Sequence, residues 1–184
     1  EHIQDEAFLK RFEREAKTLA QLSHPNIVKV LDYGEYEGAP YLVMEYVGGG
    51  TLKLKGVKRN WTEAARLLAP IARALEYAHQ QNIIHRDVKP ANFPLTETGM
   101  PMLSDFGIAK ILESEDTSQL TGTGVGIGTP AYMAPEQGSG KTVDNRADIY
   151  SLGVVFYEMV TGRTPYQADT PLAVLLMHIN DPLP

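Results

Sequence analysis

From Asp5 to Leu22, apolar residues recur at Phe8, Phe12, Ala16 and Leu19 with charged residues between them. That spacing forms one stripe of an amphipathic α-helix. His24-Pro25-Asn26 ends it, because the residue before a proline is pushed out of the helical region. Two β-rich apolar runs follow, Ile27 to Tyr33 and Tyr41 to Val47, and the segment Gly34 to Pro40 between them has hairpin turn chemistry. Gly48-Gly49-Gly50 breaks regular structure and marks a hinge between two lobes. A second long helix is expected from Thr62 to Gln81, with Ala65, Leu68, Ala72, Leu75 and His79 on one face. Thr62 serves as its N-cap, and Pro70 should kink it. Short strands are expected at Ile83-Ile84, Phe93 to Leu95 and Met102-Leu103. The stretch from Ala147 to Thr161 is apolar on nearly every side, which predicts a helix buried in the domain centre, stopped by Gly162. A helix-like segment from Thr170 to Ile179 comes last. Helices segregated from a small antiparallel sheet give an α+β architecture.

Composition narrows the function classes. Of 184 residues, 43% are hydrophobic and 22% charged, ordinary globular values that exclude disorder and collagen-like order. The net charge of −6 argues against a generic nucleic-acid binder. The absence of cysteine excludes a disulfide scaffold and any Cys-ligated metal, and it fits a reducing compartment. No apolar run reaches the roughly 18 residues of a membrane span. The first six residues are acidic where a signal peptide would be basic, and the chain does not start with Met, so it is expected to be part of a longer protein. A membrane tether outside these residues stays open.

The chemistry concentrates in His85-Arg86-Asp87-Val88-Lys89-Pro90-Ala91-Asn92. Asp87 has the chemistry to accept a proton from an attacking hydroxyl. Lys89 can neutralise a transferring anion, and Asn92 offers a hard oxygen for Mg²⁺. Asp105-Phe106-Gly107 adds a second hard ligand, an aromatic anchor and a backbone pivot. Ala134-Pro135-Glu136 follows Gly128-Thr129-Pro130-Ala131-Tyr132-Met133. Each segment alone has a bland reading as a polar turn or a proline-rich loop.

In this order the three segments match the protein-kinase signature set. The chain resembles the eukaryotic-like (Hanks-type) serine/threonine protein kinases of bacteria over essentially its whole length. The resemblance implies a two-lobed kinase fold truncated at both ends, with residues 1–47 as a partial N-lobe and 48–184 as a partial C-lobe. It implies ATP-dependent transfer of a phosphoryl group to Ser/Thr hydroxyls of protein substrates, with Mg²⁺ or alternatively Mn²⁺. By the same resemblance, Asp87 is the catalytic-loop aspartate, Lys89 the phosphate-contacting lysine, and Asn92 and Asp105 the metal ligands. Thr129 bridges to Asp87 and Lys89 beneath the substrate hydroxyl. Glu15 matches the glutamate that pairs with an ATP-contacting lysine. Met44 falls at the gatekeeper, and Glu45-Tyr46-Val47 forms the hinge that meets adenine through backbone groups. His85, Arg86, Phe106, Gly107 and Glu136 are structural, and Asp148 is the buried helix aspartate that holds the catalytic-loop backbone. Of the five histidines, only His85 carries an expected role.

Thr121 and Thr123 resemble the paired autophosphorylation threonines of such kinases, with Arg86 as the cation a phosphothreonine would meet and Ser114, Thr117 and Ser118 as weaker sites. Dimerisation would serve that autophosphorylation. The resemblance also implies a cytoplasmic kinase domain, with an anchor elsewhere in the protein as an option. The glycines from Gly122 to Gly128 open no helix and are dismissed as a nucleotide loop.

The pattern departs from the family in places. Its glycine-rich loop and strand lysine would lie upstream of Glu1, Phe93-Pro94 stands where two aliphatic residues are usual, and Lys53 to Asn60 is a poor match to the usual helix. The alternative is therefore a pseudokinase or a truncated kinase-like binding module. The retention of Asp87, Lys89, Asn92 and Asp105 argues for the enzyme.

Overall fold

The computed structural model describes residues 2–54, 56–106 and 130–184. Gly107, Thr121, Thr123, Thr129 and the weaker phosphorylation candidates lie outside the described residues. Helix α1 covers His2–Ala20, and its expected stripe turns inward: Phe12, Ala16 and Leu19 are buried, while Phe8 sits at the rim. Strands β1 (Val30–Tyr36) and β2 (Ala39–Met44) form an antiparallel hairpin whose register runs from Tyr36 opposite Ala39 to Val30 opposite Met44. A bulge between Val30 and Asp32 leaves Leu31 largely exposed.

Helix α2 covers Trp61–Gln80 and runs uninterrupted through Pro70. Its N-cap is Asn60, not Thr62: the Asn60 side chain accepts the Glu63 N–H at 2.8 Å. Its buried face also differs from expectation. Ala64, Leu68, Ile71, Ala74, Leu75 and Ala78 face the core, whereas Ala65 and Ala72 are exposed. Alanine occurs all round this helix and so carries no phase information; Ile71 sets the rotation.

Helix α3 is the short Pro135–Gly138, α4 is Arg146–Thr161 and α5 is Pro171–Asn180. Gly162 caps α4 in the left-handed region, φ 80°. Helix α4 is not enclosed on all sides: Val154, Val155 and Met159 are buried, but Ile149 is 54% exposed. It also buries Asp148, Ser151 and Glu158, and two of these polar groups serve the loops described below. One buried cluster joins Leu19, Leu22 and Val30 to Ile71, Leu75, Phe93, Leu103 and Met159. No helix among the described residues is long and apolar enough to cross a membrane.

The expected strands at Phe93 to Leu95 and Met102-Leu103 reduce to isolated bridges, Thr51 with Pro94, Leu95 with Pro101 and Ile27 with Leu103. Ile83-Ile84 is not a strand. Pro94 is tolerated because the neighbouring pairings bypass its nitrogen. Phe93 C=O accepts from Leu52, Leu95 N–H donates to Gly50, and Pro94 itself uses only its carbonyl, towards Met102 N–H. The triglycine segment is stitched into the same ladder, Gly49 N–H donating to Leu95 C=O at 2.8 Å.

Candidate active site

Three loops converge behind the C-terminal end of α2. The first is residues 85–92, which leave α2 through a tight turn and close on a 3₁₀ turn at Pro90–Asn92. Lys89 Nζ lies 2.7 Å from Asp87 Oδ2, with both side chains about one-fifth exposed. Asn92 Nδ2 donates to the same Asp87 Oδ2 at 3.1 Å and to Asp87 C=O at 2.8 Å. Two donors therefore hold one carboxylate oxygen. Those bonds also orient the Asn92 amide, whose Oδ1 accepts nothing among the described residues.

The second loop is Leu103 to Phe106. Ser104 N–H donates to Asn92 C=O at 3.0 Å, which ties this loop to the first. Ser104 Oγ–H donates to Asp105 Oδ2 at 2.8 Å. The Asp105 side chain is exposed on the site's surface, with its backbone at φ 55°. Phe106 is buried with its ring centroid 4.6 Å from that of His85.

His85 is fully buried between these loops. Its Nδ1 accepts the Asp87 N–H at 3.2 Å, so its Nε2 carries the proton and donates to Ser104 C=O at 2.9 Å. Burial holds this imidazole below its ordinary pKa, in the neutral form that both bonds require. From α4, the buried Asp148 accepts the backbone N–H groups of His85 and Arg86, each at 2.8 Å, and His79 Nε2 at 2.7 Å. Arg86 sits at φ 65°, a conformation that costs a non-glycine residue roughly 1–3 kcal/mol.

The third loop is Pro130 to Gly138. Gln137 Nε2 donates to Arg86 C=O at 2.8 Å while its Oε1 accepts the Ala134 N–H at 3.0 Å. Tyr132 Oη–H donates to the buried Glu158 Oε2 at 2.6 Å, and burial first, then that carboxylate, pushes the phenol pKa far upward. Glu136 is half-buried at the start of α3.

Glu15 lies on α1, one-fifth exposed, with its Oε1 taken by Arg14 at 3.1 Å. Met44 ends β2 and is partly exposed. In the adjoining segment Glu45 N–H donates to Lys29 C=O at 2.9 Å, whereas the Val47 N–H and Glu45 C=O make no backbone bond among the described residues. A planar heterocycle with adjacent donor and acceptor could use that pair.

The structure adds residues the sequence reading passed over. Gln137 joins α3 to the first loop. Its signal was available, since it stands three positions into a proline-started helix, where a side-chain amide folds back to cap. His79 and His178 hold buried hydrogen bonds too, so His85 is not the sole histidine with a structural role.

This geometry supplies an oriented carboxylate, an adjacent ammonium and two hard oxygen donors on loops tied to the buried Asp148 carboxylate of α4. The comparison with known families fits it: residues 1–181 match the protein kinase domain. The chain belongs to the protein kinase domain family. It is 46% identical over 189 residues to a serine/threonine-protein kinase, PknB, of Mycolicibacterium smegmatis, covering 98% of this chain and 30% of that protein. It is 43% identical over 185 residues to a probable serine/threonine-protein kinase of Clostridium acetobutylicum, covering 98% of this chain and 28% of that protein. With PknB of Mycobacterium leprae the identity is 44% over 189 residues, 98% of this chain and 30% of the relative. The kinase domain here therefore spans less than a third of the length of these curated relatives. Its two-stranded sheet and mostly helical remainder form an α+β fragment of the kinase fold.

Proposed function

We propose that this domain transfers the γ-phosphoryl group of ATP to Ser/Thr hydroxyls of protein substrates. The observation that carries the reading is the Asp87 carboxylate, gripped on Oδ2 by Lys89 and Asn92 and backed by the Asp148 anchor. Asp87 accepts the proton as the substrate oxygen bonds to phosphorus and the bond to the β,γ-bridging oxygen breaks, releasing ADP. Lys89 balances charge on the transferring group. Val47 N–H and Glu45 C=O offer the donor and acceptor for adenine, with Met44 beside them, and Glu15 stands on α1 for a lysine partner.

The donor set fits a hard divalent cation: Asn92 Oδ1 accepts no bond among the described residues and Asp105 presents an exposed carboxylate. Magnesium, with manganese as the alternative, would bind there and screen the phosphate charge. Thr129 and the phosphorylation sites Thr121 and Thr123, with Arg86 as their partner, complete the proposal, together with a cytoplasmic location, dimerisation for autophosphorylation and an anchor elsewhere in the protein.

The test is a phosphorylation assay on the full-length protein with Mg²⁺-ATP and a protein acceptor. Transfer to Ser/Thr that disappears in Asp105→Ala, together with a loss of calorimetric Mg²⁺-ATP affinity, supports the reading. Unchanged affinity would remove Asp105 as a ligand. Absence of transfer with intact nucleotide binding would favour a kinase-like binding module.

A further inference from the structure

The turn Pro130–Tyr132 is held at consecutive residues by two different helices. Tyr132 is held by Glu158 of α4, and Ala131 C=O accepts His178 Nε2 of α5 at 3.1 Å. His178 is only 4% exposed. Because Nε2 donates to a carbonyl, Nδ1 is the acceptor, and it takes the Tyr150 hydroxyl proton at 2.7 Å. Tyr166 packs edge-on against the imidazole, centroids 4.8 Å apart, and its own hydroxyl donates to the Asp181 and Pro182 carbonyls that end α5. The ring is thus fixed on both nitrogens and one face, far in sequence from the carbonyl it holds.

We propose that neutral His178 is a positioning residue that fixes the substrate-side turn Pro130–Tyr132 from α5, so that acidification loosens this turn. The inference rests on the kinase reading for the word substrate, since the turn leads into Ala134-Pro135-Glu136 beside the Asp87 loop. The latch itself rests on geometry. Protonation would make Nδ1 a donor, so the Tyr150 hydroxyl would have to reverse from donating to accepting, and the added charge would sit in a buried place. The groups around the imidazole are two phenols, the Ala131 carbonyl, whose hydrogen bond favours the cation, and the carboxylates Glu136 and Asp181 beside Tyr150 and Tyr166; burial outweighs that one bond. Burial accordingly holds His178 below its ordinary pKa, and burial also pushes Tyr150 up to about 12, so its hydroxyl stays a donor. A charged ring gains by swinging out to water, and that movement breaks both bonds.

The test uses full-length protein with His178→Ala and His178→Gln variants. Gln can still present an N–H where Nε2 stood, but it cannot titrate. At pH 7.5, His178→Ala should raise KM for a protein acceptor about fivefold, the loss of roughly one buried hydrogen bond, with KM for ATP unchanged. His178→Gln should retain wild-type KM there. Between pH 7.5 and 5.5 the acceptor KM of wild type should climb, and that of His178→Gln should stay flat. Hydrogen exchange of the 130–138 peptide, corrected for intrinsic rates, should show the same pattern without reference to activity. Equal pH dependence in wild type and His178→Gln, or an equal rise of both KM values in His178→Ala, overturns the latch. A wild type with no transfer sinks the kinase reading alone, and the exchange data then decide on His178.

Discussion

Asp148 Oδ1 accepts the backbone N–H of Arg86 at 2.8 Å, across 62 residues of sequence, and Arg86 is held at φ 65°. The carboxylate compensates the very residue whose backbone is unfavourable. With His85 N–H and His79 Nε2 on its other oxygen, one buried side chain aligns the loop that carries Asp87. The strain therefore coincides with the site rather than with a distant turn.

Asp148→Ala should be among the most damaging substitutions in the chain. It leaves two backbone N–H groups and the His79 ring N–H without an acceptor in a buried place, at a cost of about 3–5 kcal/mol. Asp148→Asn should be milder in volume but still costly, because its NH₂ group would face donors. Urea unfolding of the three proteins checks this; a loss below about 1 kcal/mol for the Ala variant would show that the loop finds other partners.

Asp87→Asn should abolish phosphoryl transfer and leave ATP affinity within a few-fold. The amide keeps the size of the side chain but cannot take the hydroxyl proton, and nucleotide binding depends on other groups. Steady-state kinetics beside calorimetric ATP titration separate the two effects. Substantial turnover by a purified, metal-replete Asp87→Asn protein would remove Asp87 from the proposed role.

The sequence was most legible where short motifs combine with strong periodicity. The stripe Phe12, Ala16 and Leu19 faces inward as its spacing predicts, and the hairpin forms around Glu37-Gly38, both with positive φ. The loops around Asp87 and Asp105 were recognisable because their chemistry is local: carboxylates, an ammonium and an amide within short stretches. The rotation of α2 was legible only in part: Leu68 and Leu75 are buried as expected, but Ala65 and Ala72 are exposed, since alanines are compatible with any side. The work of His79 and His178 was not legible, nor was the bond from Gln137 to Arg86, although the capping bond of Gln137 to Ala134 had a local signal. Each bonds a partner distant in sequence, and only tertiary packing brings those partners together. Pro94 was misleading for a related reason, because whether a strand nitrogen needs a partner depends on which side its neighbours pair.

Stability should fall as pH drops from 7 towards 5.5, before carboxylate protonation dominates. Burial keeps His85, His178 and His24 below the ordinary value of 6.5. An unfolded chain takes up protons on these imidazoles near pH 6.5, whereas the folded chain takes them up only at lower pH. In that window the unfolded state holds more protons, so acidification favours it. Urea midpoints measured in half-unit steps should decline through the window. A midpoint that rises instead would mean that the folded state binds the extra protons, contrary to the neutral tautomers inferred for His85 and His178.

Gly49 and Gly50 should differ in what they tolerate, although they are neighbours in one triglycine. A Cβ at Gly49 would fall 2.1 Å from Thr96 C=O oxygen and 2.4 Å from Leu95 C=O oxygen, backbone atoms that have no rotamer in which to retreat. The strand segment must move away, and the bond from Gly49 N–H to Leu95 C=O goes with it. Gly49→Ala should therefore cost about 3 kcal/mol or more, an overpacking clash plus a lost hydrogen bond. At Gly50 nothing lies within 4 Å of the added Cβ, and the penalty is only that of a non-glycine residue at φ 80°. That amounts to about 1–2 kcal/mol. Thermal unfolding of the two single variants, each compared with wild type, should rank Gly49→Ala well below Gly50→Ala. Equal midpoints would mean that the 48–50 segment is not seated against residues 94–96, and the Leu95 amide and carbonyl would then exchange with water as freely as an open loop.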